Sequence, residues 1–510
     1  MKKSLFAAAL IGLAAVTQAP PAVYADGFAD LVSRAVRKAV KVENVREHQQ
    51  ILQTIANRNG GTRASGTPGY KVSADYVRLR LKLAGYDVKL LPFDFPFFEE
   101  HSPSRLARTN PGSVTYVNGT DFLTMEYSGS GSVSAQLQDA GGIIIPPTPL
   151  PSSSSGCDAA DFAGFVAGRI ALIQRGTCTF ATKALNAQAA GASAVIIFNE
   201  GQPGRRAVFN GTLGGPVDIP VLAASFDLGQ RLFNLTNPTL SLFTDTTSET
   251  RETYNVLAES KFGQSRRTVV VGAHLDSVAE GPGINDNGSG SATVLEVAIR
   301  LARFTPYIQN KVRFMFFGAE EAGLLGSEAY LASLSQEKLD RILLNLNFDM
   351  VGSPNFVRFV YDGDGSDTPD PGPVGSEVIE DVFLDYFAFK GLATDPTAFD
   401  GRSDYGPFID RGIPAGGLFS GAEGIKTAEQ EAKYGGTAGD PYDPCYHLAC
   451  DTFANNNNRS LDQLSDATAH AVVTFAFAGP DVIASADAKS RTSQRVAASS
   501  LLYRGSHLQK

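Results

Sequence analysis

The sequence predicts an α/β fold: a mixed, mostly parallel central sheet flanked by helices, with a smaller β-rich α+β domain inserted into it. Three observations carry this. Residues 268–273, 312–317 and 342–348 are almost unbroken apolar runs, the pattern of strands buried on both faces of a parallel sheet. Segments of helical period lie between them, notably 291–304 with Val294, Val297, Ala298 and Leu301 on one face. Between about 97 and 250 the texture changes to short β-like runs separated by Gly, Pro and Ser clusters such as 146–156.

A chain of 510 residues exceeds what one hydrophobic core usually organises, so two domains plus processed ends are expected. Met1-Lys2-Lys3, the apolar run Leu5 to Val16 and the small-x-small site Val23-Tyr24-Ala25 read as a secretory signal peptide over 1–25. The run is too short to span a bilayer comfortably, and no later segment resembles a membrane helix. Residues 26–45 are read as a short pro-segment or as the first helix. Ile51, Leu52 and Ile55 place a helix over 46–57, and the glycines of 59–69 make a loop. A second amphipathic helix over 73–84 ends at Gly85, and alternation from Tyr86 marks a strand. The domain division is therefore 46–96 with 251–480 as the main domain and 97–250 as the insertion. Within the insertion, 168–178 reads as strand then turn, 180–191 as a helix and 194–199 as a buried strand. The polar tail 481–510 is expected to be disordered or removed.

The composition, 43% hydrophobic and 19% charged, is that of a soluble globular protein. A net charge of -9 argues against nucleic acid or an anionic membrane as the main partner, and a monomer is expected. Export, to the cell exterior or a periplasm, governs the four cysteines. Cys157 lies near Cys178 and Cys445 near Cys450, so two local disulfides are the natural pairing in an oxidising compartment, although three connectivities are formally open. No CxxC spacing supports a cysteine-rich zinc site.

Each of the three apolar strands runs into acidic or histidine residues. The first leads through His274 and Asp276 to Asp286, the second to Glu320 and Glu321, and the third to Asp349. Carboxyl ends of strands form the edge where ligands bind in an open α/β sheet. One histidine and several carboxylates delivered there suit a hard or borderline divalent metal. A single HxD or Glu-Glu is usually a solvated surface pair; the repeated placement after a strand is what speaks for function. Of the six histidines, His274 and His447 occupy motif-like settings.

The pattern HLDS…GINDNGSG…GAEE…NFDM…YDPCYHLACDT closely resembles the secreted co-catalytic di-zinc aminopeptidases, the leucyl aminopeptidase and aminopeptidase Y type of MH-clan metallopeptidases. The likeness covers 46–95 and 254–478, and residues 168–199 resemble a protease-associated (PA) domain. It implies a zinc-exopeptidase, phosphorylase/hydrolase-like fold and two zinc ions per subunit. One zinc would be held by His274 and Asp349, the other by Glu321 and His447, with Asp286 bridging and a cis Asp286–Asn287 bond. Asp276 would orient His274. Glu320 would act as general base, taking a proton from the attacking water and passing it to the leaving amine.

By the same resemblance the Tyr446 hydroxyl would stabilise the oxyanion, and the expected Cys445–Cys450 bridge would hold Tyr446 and His447 in a tight loop. Arg402, in a segment like the family's substrate-side loop, would help place the substrate termini; the structural alternative pairs it with Asp404 or Asp400. Tyr405 stands where many members carry His. Substrates would be peptides with a free N-terminus, bulky apolar residues such as Leu preferred. A carboxypeptidase would call for more arginines near the pocket, a one-zinc cyclase for fewer ligands, and a receptor of the same fold for lost ligands. Asp462 and Asp466, one helical turn apart, could present two carboxylates to calcium; a solvated helix face is the simpler reading.

Overall fold

The computed structural model describes residues 27–479. The expected signal peptide, 1–25, and polar tail, 481–510, lie outside the described residues. Residues 26–45 contain the helix Gly27–Ala39 and the start of the helix Val42–Arg58. Val32, Val36 and Val45 are buried in the main hydrophobic core, and the first helix packs on the last, Asn458–Phe477. The helix expected over 73–84 begins five residues earlier, at Pro68. Thr67 caps it by accepting from the Tyr70 N–H, and Pro68 fits the first turn, where a missing N–H costs nothing. It ends as expected at Gly85, whose φ of 98° suits the left-handed cap.

The three apolar runs form the strands Gln264–His274, Asn310–Phe317 and Ile342–Phe348, joined by Ala415–Phe419. All four are parallel neighbours, with Gln264–His274 between Asn310–Phe317 and Ile342–Phe348. Antiparallel strands flank them: Thr239–Glu259 on one side and Phe359–Tyr361 on the other. Side chains alternate across the sheet, as a period of two requires. Val269, Val271 and Ala273 face the helices Gly288–Leu301 and Asn458–Phe477, whereas Val270 faces Tyr330 and Phe408 on the other side. Both faces are thus covered, so the strands are apolar throughout.

The insertion leaves the main sheet along a long two-stranded ribbon. Asp87–Asn110 pairs antiparallel with Thr239–Glu259 from Asp87 opposite Glu259 to Asn110 opposite Thr239. The division at 96/97 and 250/251 falls inside this ribbon, where Phe95 faces Arg251 and Pro96 faces Thr250. Beyond it, parallel strands Ile170–Gln174, Ala194–Phe198 and Val221–Ala224 carry the helices Phe180–Ala189 and Phe226–Phe233. Ala171, Ile173, Val195 and Ile197 build one core of the insertion; Ile170, Leu172, Ala194 and Ile196 build the other. Both disulfides, Cys157–Cys178 and Cys445–Cys450, are formed.

Candidate active site

The ends of the parallel strands converge on one cavity, lined among others by His274, Asp286, Glu320, Glu321, Asp349 and His447. His274 is the last residue of its strand, and Asp349 follows directly on Phe348. Glu320 and Glu321 follow Phe317 by three and four residues. Asp286 arrives on the loop before the helix Gly288–Leu301, and His447 on the loop closed by Cys445–Cys450. Non-glycine residues with left-handed φ cluster here: Ala319 at 51°, Met350 at 53° and His447 at 56°. Such backbone is uncommon away from sites whose surroundings enforce it.

Asp286 stands between the two imidazoles. Its Oδ1 is 3.2 Å from His274 Nε2, and its Oδ2 is 3.2 Å from His447 Nε2. Asp349 Oδ1 completes the first group at 3.1 Å from His274 Nε2, and Glu321 Oε2 the second at 3.1 Å from His447 Nε2. Glu320 belongs to neither arrangement, its Oε2 lying 3.9 Å from His274 Nε2. Asp276 sits behind His274, 3.6 Å from Nδ1, and accepts the Glu320 N–H at 3.3 Å. The Asp286–Asn287 peptide bond is cis.

The site is rich in carboxylates, and His274, Asp286 and Glu320 are buried. Burial pushes the His274 imidazole down, but the surrounding Asp349 and Glu320 carboxylates outweigh it and raise it well above its ordinary value. Burial likewise lowers His447, yet Glu321 and Asp286 drive it up to about 11. Burial raises Glu321 to about 7, with Asp286 adding to it, and raises Glu320 well above the carboxylate range. Asp286 is held low by the two imidazoles despite its burial. The cluster therefore binds protons unless further positive charge is supplied.

The donor set fits zinc. Two ligand atoms about 2.0–2.1 Å from one tetrahedral ion lie roughly 3.3–3.4 Å apart, close to the nitrogen–oxygen separations here. Glu321 Oε1 is also buried without a hydrogen-bond partner, an orphan that a cation would satisfy.

Several supporting contacts carried no sequence signal. Ser403 Oγ donates to Asp349 Oδ2 at 2.6 Å and accepts from Asn347 Nδ2 at 2.8 Å. Asn287 caps the helix that follows it, its Oδ1 accepting from Gly290 N–H while its Nδ2 donates to the Phe348 carbonyl. The Arg402 guanidinium donates to Glu423 at 2.7 Å and to the Tyr446 hydroxyl at 3.3 Å. Its main-chain N–H donates to Asp400 Oδ1 at 3.0 Å. Asp404 is fully buried, which raises its carboxyl to about 7. Far from the cavity, Asp466 accepts from Tyr386 and Lys390. Asp362, Asp364 and Glu380 form another acidic group, but main-chain N–H groups of 365–368 already occupy the Asp362 oxygens.

Residues 255–472 match Peptidase family M28, and residues 135–232 match the PA domain. The chain is 48% identical over 440 residues to an aminopeptidase of Pseudomonas aeruginosa, covering 85% of this chain and 80% of that one. The chain belongs to peptidase family M28. It is a metallo-aminopeptidase carrying an inserted PA domain. Other relatives include the probable leucine aminopeptidase 2 of Aspergillus fumigatus, 40% identical with 81% of this chain and 79% of that one covered. The probable lipoprotein aminopeptidase LpqL of Mycobacterium tuberculosis is 40% identical, covering 91% of each. Among solved structures, the aminopeptidase from Aneurinibacillus sp. strain AM-1 superposes with a TM-score of 0.63 at 27% identity, covering 88% of this M28 chain and 97% of that one. BSAP, described as a zinc aminopeptidase from Bacillus subtilis, gives 0.54 at 26% identity, covering 85% and 94%.

Proposed function

We propose that this M28 aminopeptidase uses two zinc ions, one held by His274 and Asp349 and the other by Glu321 and His447, with Asp286 shared between them. The observation that carries this is the placement of the two Asp286 oxygens, one toward each imidazole at 3.2 Å. Zinc at such a site acts as a Lewis acid on the peptide carbonyl and makes a water nucleophilic near neutral pH.

The remaining chemistry belongs to side chains. Glu320 is the general base: it takes a proton from the attacking water onto its carboxylate and delivers it to the leaving amine. Its burial and its position outside the two three-atom groupings around Asp286 support that role. Tyr446 directs its hydroxyl to the carbonyl oxygen as negative charge develops, with Arg402 beside it. Asp276 orients His274 and tethers the Glu320 main chain.

Substrates are peptides with a free N-terminus, and Glu320 and Asp349 are the candidate carboxylates for its ammonium group. Met350, Tyr361, Phe419 and Ala422 on the cavity wall favour a bulky apolar first side chain such as Leu, in keeping with relatives named leucine aminopeptidase. The protein is exported and acts as a monomer. Two disulfides support export, and among the described residues no helix is long and apolar enough to cross a membrane.

The test is hydrolysis of a Leu-terminated chromogenic amide beside its N-acetylated twin, with chelator and with zinc restored. Cleavage of the free-amine compound alone, abolished by chelation and by Glu320→Ala, is expected. Equal cleavage of the acetylated compound would overturn the aminopeptidase role of this site.

A further inference from the structure

Two buried polar side chains grip the segment that carries Asp286, one from each side. Arg63 is fully buried, yet each nitrogen of its guanidinium donates to a main-chain carbonyl. Nε reaches Pro282 O at 2.8 Å, Nη2 reaches Gly283 O at 2.5 Å, and Nη1 reaches Leu275 O. Its own N–H donates to Ser277 Oγ at 3.0 Å. On the opposite side Asp451, 2% exposed, accepts the N–H groups of Asn285 at 2.8 Å and Asp286 at 2.9 Å. The Ile284 N–H donates to the Asp451 carbonyl at 3.0 Å.

The Arg63 guanidinium therefore holds the carbonyls of 282–283 while the Asp451 carboxyl oxygens hold the N–H groups of 285–286, so the segment is tied through both kinds of main-chain polar group. The packing leaves no slack. Gly283 has a φ of +58°, and a Cβ there would meet the Asp286 carbonyl oxygen at 2.2 Å and Arg63 Nη2 at 3.2 Å. Arg63 holds Leu275, next to His274, with the same guanidinium that holds the Asp286 loop. It thus joins the two segments whose side chains meet at 3.2 Å.

We propose that Arg63 and Asp451 are positioning residues for the metal centre, a hydrogen-bonded clamp on the main chain that presets the spacing of His274 and Asp286. This rests on the two-zinc reading above. The sign of the effect discriminates. A buried cation near the site repels zinc, so losing its charge alone would tighten binding. Losing the clamp releases the Asp286 loop and weakens binding, and the clamp dominates.

The experiment uses the full chain with Arg63→Met, Arg63→Lys, Asp451→Asn and the double variant Arg63→Met/Asp451→Asn. Zinc affinity is read by competition with a chromogenic chelator, and thermal unfolding of the zinc-free proteins is read in parallel. R63M is expected to weaken zinc tenfold or more while its zinc-free form still unfolds cooperatively. R63K recovers part of the loss, D451N weakens zinc as well, and the double variant loses less than the product of the single effects. Zinc bound by R63M as tightly as by the wild type, or more tightly, overturns the proposal, as do fully multiplicative losses. If R63M does not fold, unchanged affinity in both R63K and D451N overturns it. A wild-type protein that takes up no zinc refutes the metal reading itself.

Discussion

Ser403 Oγ donates to Oδ2 of Asp349 at 2.6 Å, while the other oxygen of that carboxylate lies 3.1 Å from His274 Nε2. The hydroxyl fixes which oxygen faces the site. Ser403→Ala is expected to leave the fold intact and to weaken zinc binding about ten- to a hundredfold, the usual cost of removing a partner that orients a ligand. Chelator competition checks this.

The guanidinium of Arg402 spans Glu423 and the Tyr446 hydroxyl. Tyr446→Phe removes the donor itself and is expected to lower kcat about 10²–10³-fold with little change in KM. Arg402→Met leaves the hydroxyl in place and is expected to cost only about tenfold, near the value of one charge-assisted hydrogen bond. Steady-state kinetics on a Leu-terminated amide separates the two.

The disulfides divide by purpose. Cys157–Cys178 closes a span of 21 residues within the insertion, whereas Cys445–Cys450 closes only 5. Chain entropy assigns the first about 3 kcal/mol and the second about 2 kcal/mol. Replacing Cys157 and Cys178 by Ser is expected to lower thermal stability while peptide cleavage persists. The same change at Cys445 and Cys450 is expected to cost more activity than stability, because His447 and Tyr446 lie inside that loop. Calorimetry and turnover measured together decide.

The six residues proposed for metal binding and proton transfer were legible because each follows a strand or a short motif. What holds them was not. Arg63 lies in a glycine-rich stretch read only as a loop, and its acceptors are carbonyls more than 200 positions away, which leave no periodic trace. The contacts of Ser403 and Asn287 are invisible for the same reason, since a Ser or Asn side chain carries no pattern until the fold supplies its partner. The ribbon that joins the insertion to the main sheet was also cut short in the reading. Pro92, Pro96 and Pro103 interrupt its sequence, but the pairing continues through Pro92 and Pro96 and breaks register beyond Glu100.

His470 supplies a pH-dependent element remote from the cavity. Its Nδ1 lies 3.0 Å from Ser33 Oγ and its ring stacks on Tyr386 at 4.9 Å. Burial, helped by Arg37 and opposed by Asp30 and Asp466, lowers it to about 4. A histidine kept neutral by folding stabilises fully above its unfolded pKa of about 6.5, and that contribution is lost as pH falls toward 4. The loss is about 3 kcal/mol. Urea unfolding between pH 7 and 4 is expected to show it, and His470→Gln to flatten the profile.

The most direct test of the account is anomalous diffraction at the zinc edge from crystals of the zinc-loaded protein. Two peaks are expected about 3.5–4 Å apart, one beside His274 and Asp349, the other beside Glu321 and His447, with Asp286 between them. A single peak in active protein, or two peaks away from Asp286, would contradict it.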